Sequence, residues 1–248
     1  MNSLSSISSH VFDSVLALVY PQPCAVCGRS VESRHDGVAC SKCWDTTRLF
    51  QESDTLCWKC GRLSQVKAPP ANRNTIRCGH CDDDAFTGAR ACGSYEGALR
   101  AAILELKRQP HVARRLALLM CELQRREPLN TADVIVAVPL HPDRECERGF
   151  NQALVLAREL SRLTSLPIDE HSVVRRLHTG RRRAGMDGKA RRKSVADAFA
   201  VSHNDLIVGK RVLLVDDVFT TGATASACAL ALNQAGANSV FVFTIARV

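Results

Sequence analysis

Residues 212–224 read VLLVDDVFTTGAT, a stretch that joins an apolar run to a helical pattern through a polar turn. The apolar start, 212–215, is typical of a strand that is buried on both faces of a sheet. Asp216 and Asp217 follow where this strand is expected to end, and a helix is expected over 224–234. Backbone N–H groups in such a turn, with a helix N-terminus behind them, form a cradle for an anion. We therefore expect a phosphate group to bind here.

The side chains of the turn narrow the choice of ligand. Thr220, Thr221 and Thr224 supply hydroxyl donors, and Gly222 lets the backbone approach a phosphate closely. The two aspartates would repel that phosphate, so we expect them to accept hydrogen bonds from vicinal hydroxyls of a sugar. A phosphate at one end and a diol at the other predict a ribose 5-phosphate. The alternative is that the acidic pair belongs to a hydrated turn.

The chain around this stretch alternates strands with helices. Buried strands are expected over 134–140 (VIVAVPL) and 240–245, and helical periodicity covers 98–107, 114–123 and 150–160. This order predicts an α/β fold, with a parallel sheet and helices on its faces. In such folds, ligands bind at the carboxyl ends of the strands.

Cysteine spacing sets the first part of the chain apart. Eight of the twelve cysteines form four C-x-x-C pairs, with 12 residues between the first two pairs and 17 between the last two. The spacing predicts two structural zinc ions, and we expect the first pair to join the second and the third to join the fourth. A cross-braced pairing and a disulfide framework are the alternatives. The predicted ligands are Cys24, Cys27, Cys40, Cys43, Cys57, Cys60, Cys78 and Cys81. The other four, Cys92, Cys121, Cys146 and Cys228, are expected to be buried as small apolar residues.

The net charge of +8 is concentrated in one segment. Residues 175–193 contain nine Lys or Arg and one Asp, so the rest of the chain is neutral in sum. An anionic partner is expected there, either a nucleic acid or a polyphosphate. The chain has no run of 18 apolar residues, and no cation precedes its first apolar stretch. We therefore expect a cytoplasmic protein without membrane insertion.

Two longer stretches resemble a known family. The run LLVDDVFTTGAT (213–224) is similar to the phosphoribosyl pyrophosphate (PRPP) loop of type I phosphoribosyltransferases. Together with VPLHPDRECERGFNQALVLAREL (138–160) and the paired zinc ribbons, it resembles the ComF family. The resemblance implies a type I phosphoribosyltransferase-like parallel sheet flanked by helices, preceded by a small double zinc-ribbon module. It also implies a link to DNA uptake in competent bacteria.

The resemblance assigns roles to residues of this chain. Asp216 and Asp217 would hold the ribose hydroxyls, and the turn would hold the 5-phosphate through Thr220, Thr221, Gly222, Ala223 and Thr224. Arg144 and Arg148, in the loop after the strand at 134–140, would grip pyrophosphate beside Mg²⁺. Two departures stand out. Residues 179–186 (TGRRRAGM) stand where relatives carry a loop of roughly T-x-x-Q-x-x-L form, with Arg183 where a glutamine is expected, and Thr220 stands where enzymes for 6-oxopurines place an acid. The second departure argues against hypoxanthine or guanine as the acceptor.

The sequence thus supports two functions for a chain divided into an N-terminal helix (1–20), a double zinc ribbon (21–88) and a phosphoribosyltransferase-like domain (89–248). In one, it binds PRPP and handles single-stranded DNA with DNA-uptake proteins. In the other, it is an active phosphoribosyltransferase of nucleotide metabolism or salvage. The basic segment would contact DNA phosphates, or close over pyrophosphate, through Arg181, Arg182, Arg183, Arg191, Arg192 and Lys193.

Overall fold

The computed structural model describes residues 22–64, 76–176 and 198–248. Three predictions fall outside these ranges. They are the N-terminal helix over 1–20, the departure at Arg183 and the remaining basic residues, Arg181, Arg182, Arg191, Arg192 and Lys193.

Five parallel strands form the central sheet, in the order β1-β7-β6-β2-β3. Two further strands, β4 and β5, pair antiparallel as a separate hairpin. The bounds are β1 Gly88–Ser94, β2 Val134–Ala137, β3 Ile168–Asp169, β4 Val173–Arg175, β5 Phe199–Val201, β6 Arg211–Phe219 and β7 Ser239–Arg247. Alternate residues of β6 face opposite sides of the sheet, and both sides are apolar and buried, as expected for a parallel sheet covered on both faces.

Helices cover both faces. On one face, Leu99, Leu116 and Leu156 pack in one core with Leu213 of β6; on the other, Leu232 packs with Leu214. These side chains come from helices α2, α3, α5 and α6. The bounds are α1 Ser41–Asp45, α2 Gly97–Leu106, α3 Arg114–Gln124, α4 Pro142–Arg148, α5 Gln152–Thr164 and α6 Ala223–Gln234, with short 3₁₀ turns at Arg34–Asp36 and Leu129–Thr131.

Strand β1 lies at one edge of the sheet, and the cysteine-rich part of the chain covers that edge. The N–H of Phe50 donates to the carbonyl of Cys92 at 2.8 Å, and the N–H of Ala89 donates to the carbonyl of Lys59 at 2.6 Å. An uncovered edge strand would offer a row of unpaired backbone groups. The sheet and the cysteine-rich part therefore share backbone hydrogen bonds as well as a core.

The architecture confirms the predicted fold class, a parallel sheet flanked by helices and preceded by two four-cysteine groups. Three boundaries differ from the expected ones. Strand β2 stops at Ala137, because Pro139 has no N–H to continue the ladder. Strand β6 continues to Phe219, because β7 goes on pairing with it beyond the apolar run. Arg144 and Arg148 lie in helix α4 and not in a loop, because Pro142 opens a helical turn that Gly149 closes in a left-handed conformation.

Candidate functional site

The acidic pair lies inside the carboxyl end of β6. Asp216 is in register with Thr244 of β7, whereas the pairing of β6 with β2 ends at Val215, whose carbonyl accepts from the N–H of Val138. Asp216 and Asp217 therefore stand where one neighbouring strand continues and the other has turned away. Such a divergence at the carboxyl edge of a parallel sheet opens a crevice for a ligand.

Lys107 joins this pair from the end of α2. Its Nζ atom lies 3.0 Å from Oδ2 of Asp217, and both side chains are partly buried. The N–H of Asp217 donates to Oδ1 of Asp216 at 2.8 Å. Sequence reasoning placed Lys107 on its helix but gave it no role. The available signal was a cation directly after Leu106, the last apolar residue of that helix.

The two carboxyl groups differ in their surroundings. Burial raises the pKa of Asp216 to about 8, and the nearby charge of Asp217 adds to the rise, while Lys107 opposes it. The raised pKa favours the protonated form of Asp216, which can donate as well as accept a hydrogen bond, whereas Asp217 forms the ion pair with Lys107. Two adjacent carboxyls with such different environments are typical of a functional site.

The threonine turn, residues 220–224, includes the start of α6 at Ala223. Gly222 has a φ of +82° and caps this 12-residue helix, and the N–H of Ser226 donates to its carbonyl at 2.8 Å. A Cβ atom at this position would lie 2.7 Å from Cζ of Phe219, so only glycine fits without a shift. Thr220, Thr221, Ala223 and Thr224, which make up the rest of the turn, are exposed. The N–H of Ala223 donates to Oγ1 of Thr221 at 3.4 Å, and the turn places this helix N-terminus at the protein surface.

Helix α4 begins at the same edge of the sheet. Because β2 and β6 are adjacent and parallel, the segment after β2 leaves the sheet beside the acidic pair. Arg144 is exposed and Arg148 is half-buried on this helix. Cys146, expected to be buried, is exposed between them, and Cys121 is half-buried, because both lie on solvent-facing sides of short helices. Cys92 and Cys228 are buried as expected.

The first thiol group consists of Cys24, Cys27, Cys40 and Cys43, whose Sγ atoms lie within 4.8 Å of one another. Hydrogen bonding from Arg29 lowers the pKa of Cys27 to about 6, whereas burial raises the pKa of Cys43 to about 12. Four thiols at these distances match a tetrahedral zinc site that leaves no open position.

The second thiol group consists of Cys57, Cys60, Cys78 and Cys81, again within 4.8 Å. Gly61 follows Cys60 in a left-handed conformation, and a Cβ there would lie 2.5 Å from the carbonyl oxygen of Ala89 in β1. The thiols combine as expected, the first pair with the second and the third with the fourth. Both groups are consistent with structural zinc ions.

Among the residues that the structure describes, no helix has the length and apolar composition needed to cross a bilayer.

The fold and the two thiol groups together define a double zinc-ribbon protein with a parallel sheet flanked by helices. Residues 15–82 match the family described as "Double zinc ribbon domain". The chain is 31% identical over 234 residues to Competence protein F of Haemophilus influenzae, covering 90% of this chain and 96% of that protein. The chain therefore belongs to the ComF family.

Two further relatives match this chain, one over nearly its full length and one over about half of it. The DNA utilization protein YhgH of Escherichia coli is 31% identical over 93% of this chain and 99% of its own length. Competence protein ComFC of Bacillus subtilis is 35% identical over 46% of this chain and 44% of its own. Among solved structures, the glutamine PRPP amidotransferase of B. subtilis, complexed with ADP and GMP, is 20% identical. It aligns over 58% of this chain and 30% of its own with a TM-score of 0.40. The purine phosphoribosyltransferase of Pyrococcus horikoshii is 18% identical, over 54% and 81% of the two chains, with a TM-score of 0.35.

Proposed function

We propose that the chain binds PRPP with Mg²⁺ at the carboxyl edge of its sheet and acts in the handling of single-stranded DNA during DNA uptake. One observation carries the first half of this proposal. A partly buried acidic pair, neutralised in part by Lys107, stands next to a glycine-capped helix N-terminus lined with threonines. In this proposal residues 21–88 form the zinc-ribbon unit and residues 89–248 the unit that binds the ligand.

The charges of the site suit the two ends of the ligand. The threonine turn offers N–H and hydroxyl donors to the 5-phosphate. Asp216 and Asp217 exchange hydrogen bonds with the ribose hydroxyls, and Lys107 keeps the pair from repelling the phosphorylated ligand as a doubly charged unit. Arg144 and Arg148 supply charge at the pyrophosphate end, where Mg²⁺ would bridge phosphate oxygens.

The DNA half of the proposal rests on relatives and on charge. Two relatives that match almost over their full lengths are named for competence and for DNA utilization. The segment 175–193 carries the whole net charge of the chain. Phosphates of a single strand would bind such a segment in a strongly salt-dependent manner.

The binding of PRPP is tested by calorimetry with and without Mg²⁺. Ribose 5-phosphate and pyrophosphate serve as partial ligands, and Asp217→Asn and Thr221→Val as variants. We expect Mg²⁺-dependent binding of PRPP, weaker binding of each partial ligand, and a loss of affinity of about tenfold or more in each variant. No heat of binding with PRPP and Mg²⁺ would overturn the assignment of the site.

A second assay separates a PRPP-responsive DNA-handling protein from an enzyme. Protein, Mg²⁺ and PRPP are mixed with candidate bases, and released pyrophosphate is measured. Release that depends on an acceptor and is abolished by Asp217→Asn would identify a phosphoribosyltransferase. Gel-shift binding of single strands that is lost when Arg181, Arg182 and Arg183 are replaced would support the DNA function.

A further inference from the structure

The two thiol groups lie on opposite faces of the sheet. Cys24, Cys40 and Cys43 belong to the core beneath α2 and α3. Cys57, Cys60 and Cys81 belong to the core beneath α6, together with Phe219. Only the second thiol group therefore shares a core with the strand end and the helix that flank the threonine turn.

A first connection runs from the second thiol group through Arg247. The Nη1 atom of Arg247 donates to the carbonyl oxygen of Cys60 at 2.6 Å. The same guanidinium lies 4.4 Å from the centroid of the Phe219 ring. Phe219 immediately precedes the threonine turn, and its ring fills the space that a side chain at Gly222 would need. A displacement of the backbone at Cys60 would thus reach the turn through two rigid planar groups.

A second connection runs through the residues that follow Cys81. The N–H of Ala85 donates to Oγ of Ser226 in the first turn of α6, and Nδ2 of Asn233 in its last turn donates to the carbonyl of Ala85, both at 2.9 Å. Phe86 meets Phe219 edge to face, with ring centroids 5.8 Å apart. The segment after the last ligand of the second group is therefore attached to both ends of α6.

From these contacts we infer that metal occupancy of the second thiol group sets the affinity of the threonine turn for its phosphorylated ligand, whereas occupancy of the first does not. The inference rests on the proposed function, because it concerns that same turn. The physical reason is that a four-thiol metal site folds its two turns as one unit, and removing the ion releases them. The released turns would displace Arg247, Phe86 and the segment at Ala85, whose N–H donates to Ser226.

Binding linkage is reciprocal, so a bound ligand must also raise the affinity of the second thiol group for its metal ion. The chain has two tryptophans, and each lies beside one group: Trp44 follows Cys43, and Trp58 lies between Cys57 and Cys60. The emission of Trp44 and that of Trp58 therefore identify which group loses its ion. Single variants, Trp44→Phe and Trp58→Phe, leave one reporter each.

The experiment uses the zinc-loaded full chain and a chromogenic zinc chelator that ignores Mg²⁺, with and without PRPP and Mg²⁺. Absorbance of the chelator gives the release rates in the unmodified chain, and tryptophan emission assigns each phase to a group. We expect the ligand to slow release from the second group by about fivefold or more and to leave the first unchanged.

Arg247→Lys tests the route, because lysine keeps the charge but lacks the planar fork that spans Cys60 and Phe219. In this variant we expect PRPP to have little or no effect on the rate of zinc release from the second thiol group. Arg29→Lys is the matched control beside the first group and should leave that effect intact.

The outcomes separate this inference from the proposed function. Calorimetric binding of PRPP that leaves release from the second group unchanged, or that slows both groups equally, overturns the coupling alone. Persistence of the full effect in Arg247→Lys overturns it as well. An absence of PRPP binding overturns the proposed function and the coupling together.

Discussion

The ammonium group of Lys107 lies 3.0 Å from the carboxylate of Asp217 and so joins the end of α2 to the carboxyl end of β6. The two residues are 110 positions apart in the sequence. Their contact pairs one of two adjacent aspartates, which together would repel an anionic ligand, with a cation, while burial separately raises the pKa of the other, Asp216. The charge of the crevice therefore depends on a residue outside the 212–224 stretch.

Replacement of Lys107 by methionine should weaken PRPP binding by about tenfold or more, because hydrogen bonds to charged groups contribute about 1.5–3 kcal/mol. It should also raise the pKa of Asp216 further, since the charge of Lys107 lowers it. Calorimetry and an NMR titration of the aspartate carboxyls measure the two effects. Lys210→Met, an exposed cation at the opposite edge of the sheet, is the control. An unchanged affinity in Lys107→Met would exclude a role for this cation in binding.

The carboxyl of Asp216 should make the ligand-free protein less stable as the pH rises. Its pKa is about 8 in the folded chain, above the value of about 4 in an unfolded one, so the folded state binds the extra proton between these values. Stability is therefore lost from about pH 4 to about pH 8, and Asp216→Asn should remove this loss. Denaturant unfolding at several pH values, with wild type and variant side by side, measures the difference.

Asp133 provides a control, because its pKa is shifted in the direction opposite to that of Asp216. Hydrogen bonds from Arg211 lower the pKa of Asp133 to about 2. Its contribution to stability is therefore full above about pH 4 and lost as the pH falls towards 2. Asp133→Asn should destabilise the chain by a constant amount from pH 5 to 9. A stability gain in Asp216→Asn that does not grow with pH over that range would contradict the buried-carboxyl interpretation.

Two equivalents of zinc are expected per chain in protein purified without chelators. Cys43→Ser and Cys60→Ser should each retain about one equivalent, because a tetrahedral site that loses one thiolate binds zinc far more weakly. Cys146→Ser, an exposed thiol outside both groups, should keep two. Metal analysis after gel filtration gives the stoichiometry. A wild-type value well below two would argue against structural zinc at one of the groups.

Gly222→Ala should destabilise the chain and weaken PRPP binding together. A left-handed φ costs a non-glycine residue about 1–3 kcal/mol, and here the new methyl would also meet the Phe219 ring at 2.7 Å. Gly209→Ala has a similar φ of +70° but open space around the new methyl, so it isolates the conformational cost. Thermal unfolding and calorimetry compare the two. Equal losses of stability in both variants would show that the ring contact does not constrain the turn.

Local spacing in the sequence was sufficient to predict several features of the molecule. The C-x-x-C pairs predicted both thiol groups and their pairing, since a metal site of this kind is assembled from two short turns. The stretch 212–224 predicted a strand, a turn and a helix, because apolar runs and glycine act over a few residues. Strand β1 was missed, because its residues Gly88–Ser94 are mostly small and include Arg90, and the small ones become buried only in the folded protein.

Only the tertiary structure decided how these pieces meet. Nothing local to Lys107 indicates that it reaches Asp217, and nothing local to Arg247 indicates that it spans Cys60 and Phe219. The face of the sheet that each thiol group covers is likewise set by the order of the strands. The physical reason is the range of the interactions. Turn geometry and metal spacing are fixed within about twenty residues, whereas ion pairs, ring contacts and carboxyl burial depend on distant segments that the folded sheet brings side by side.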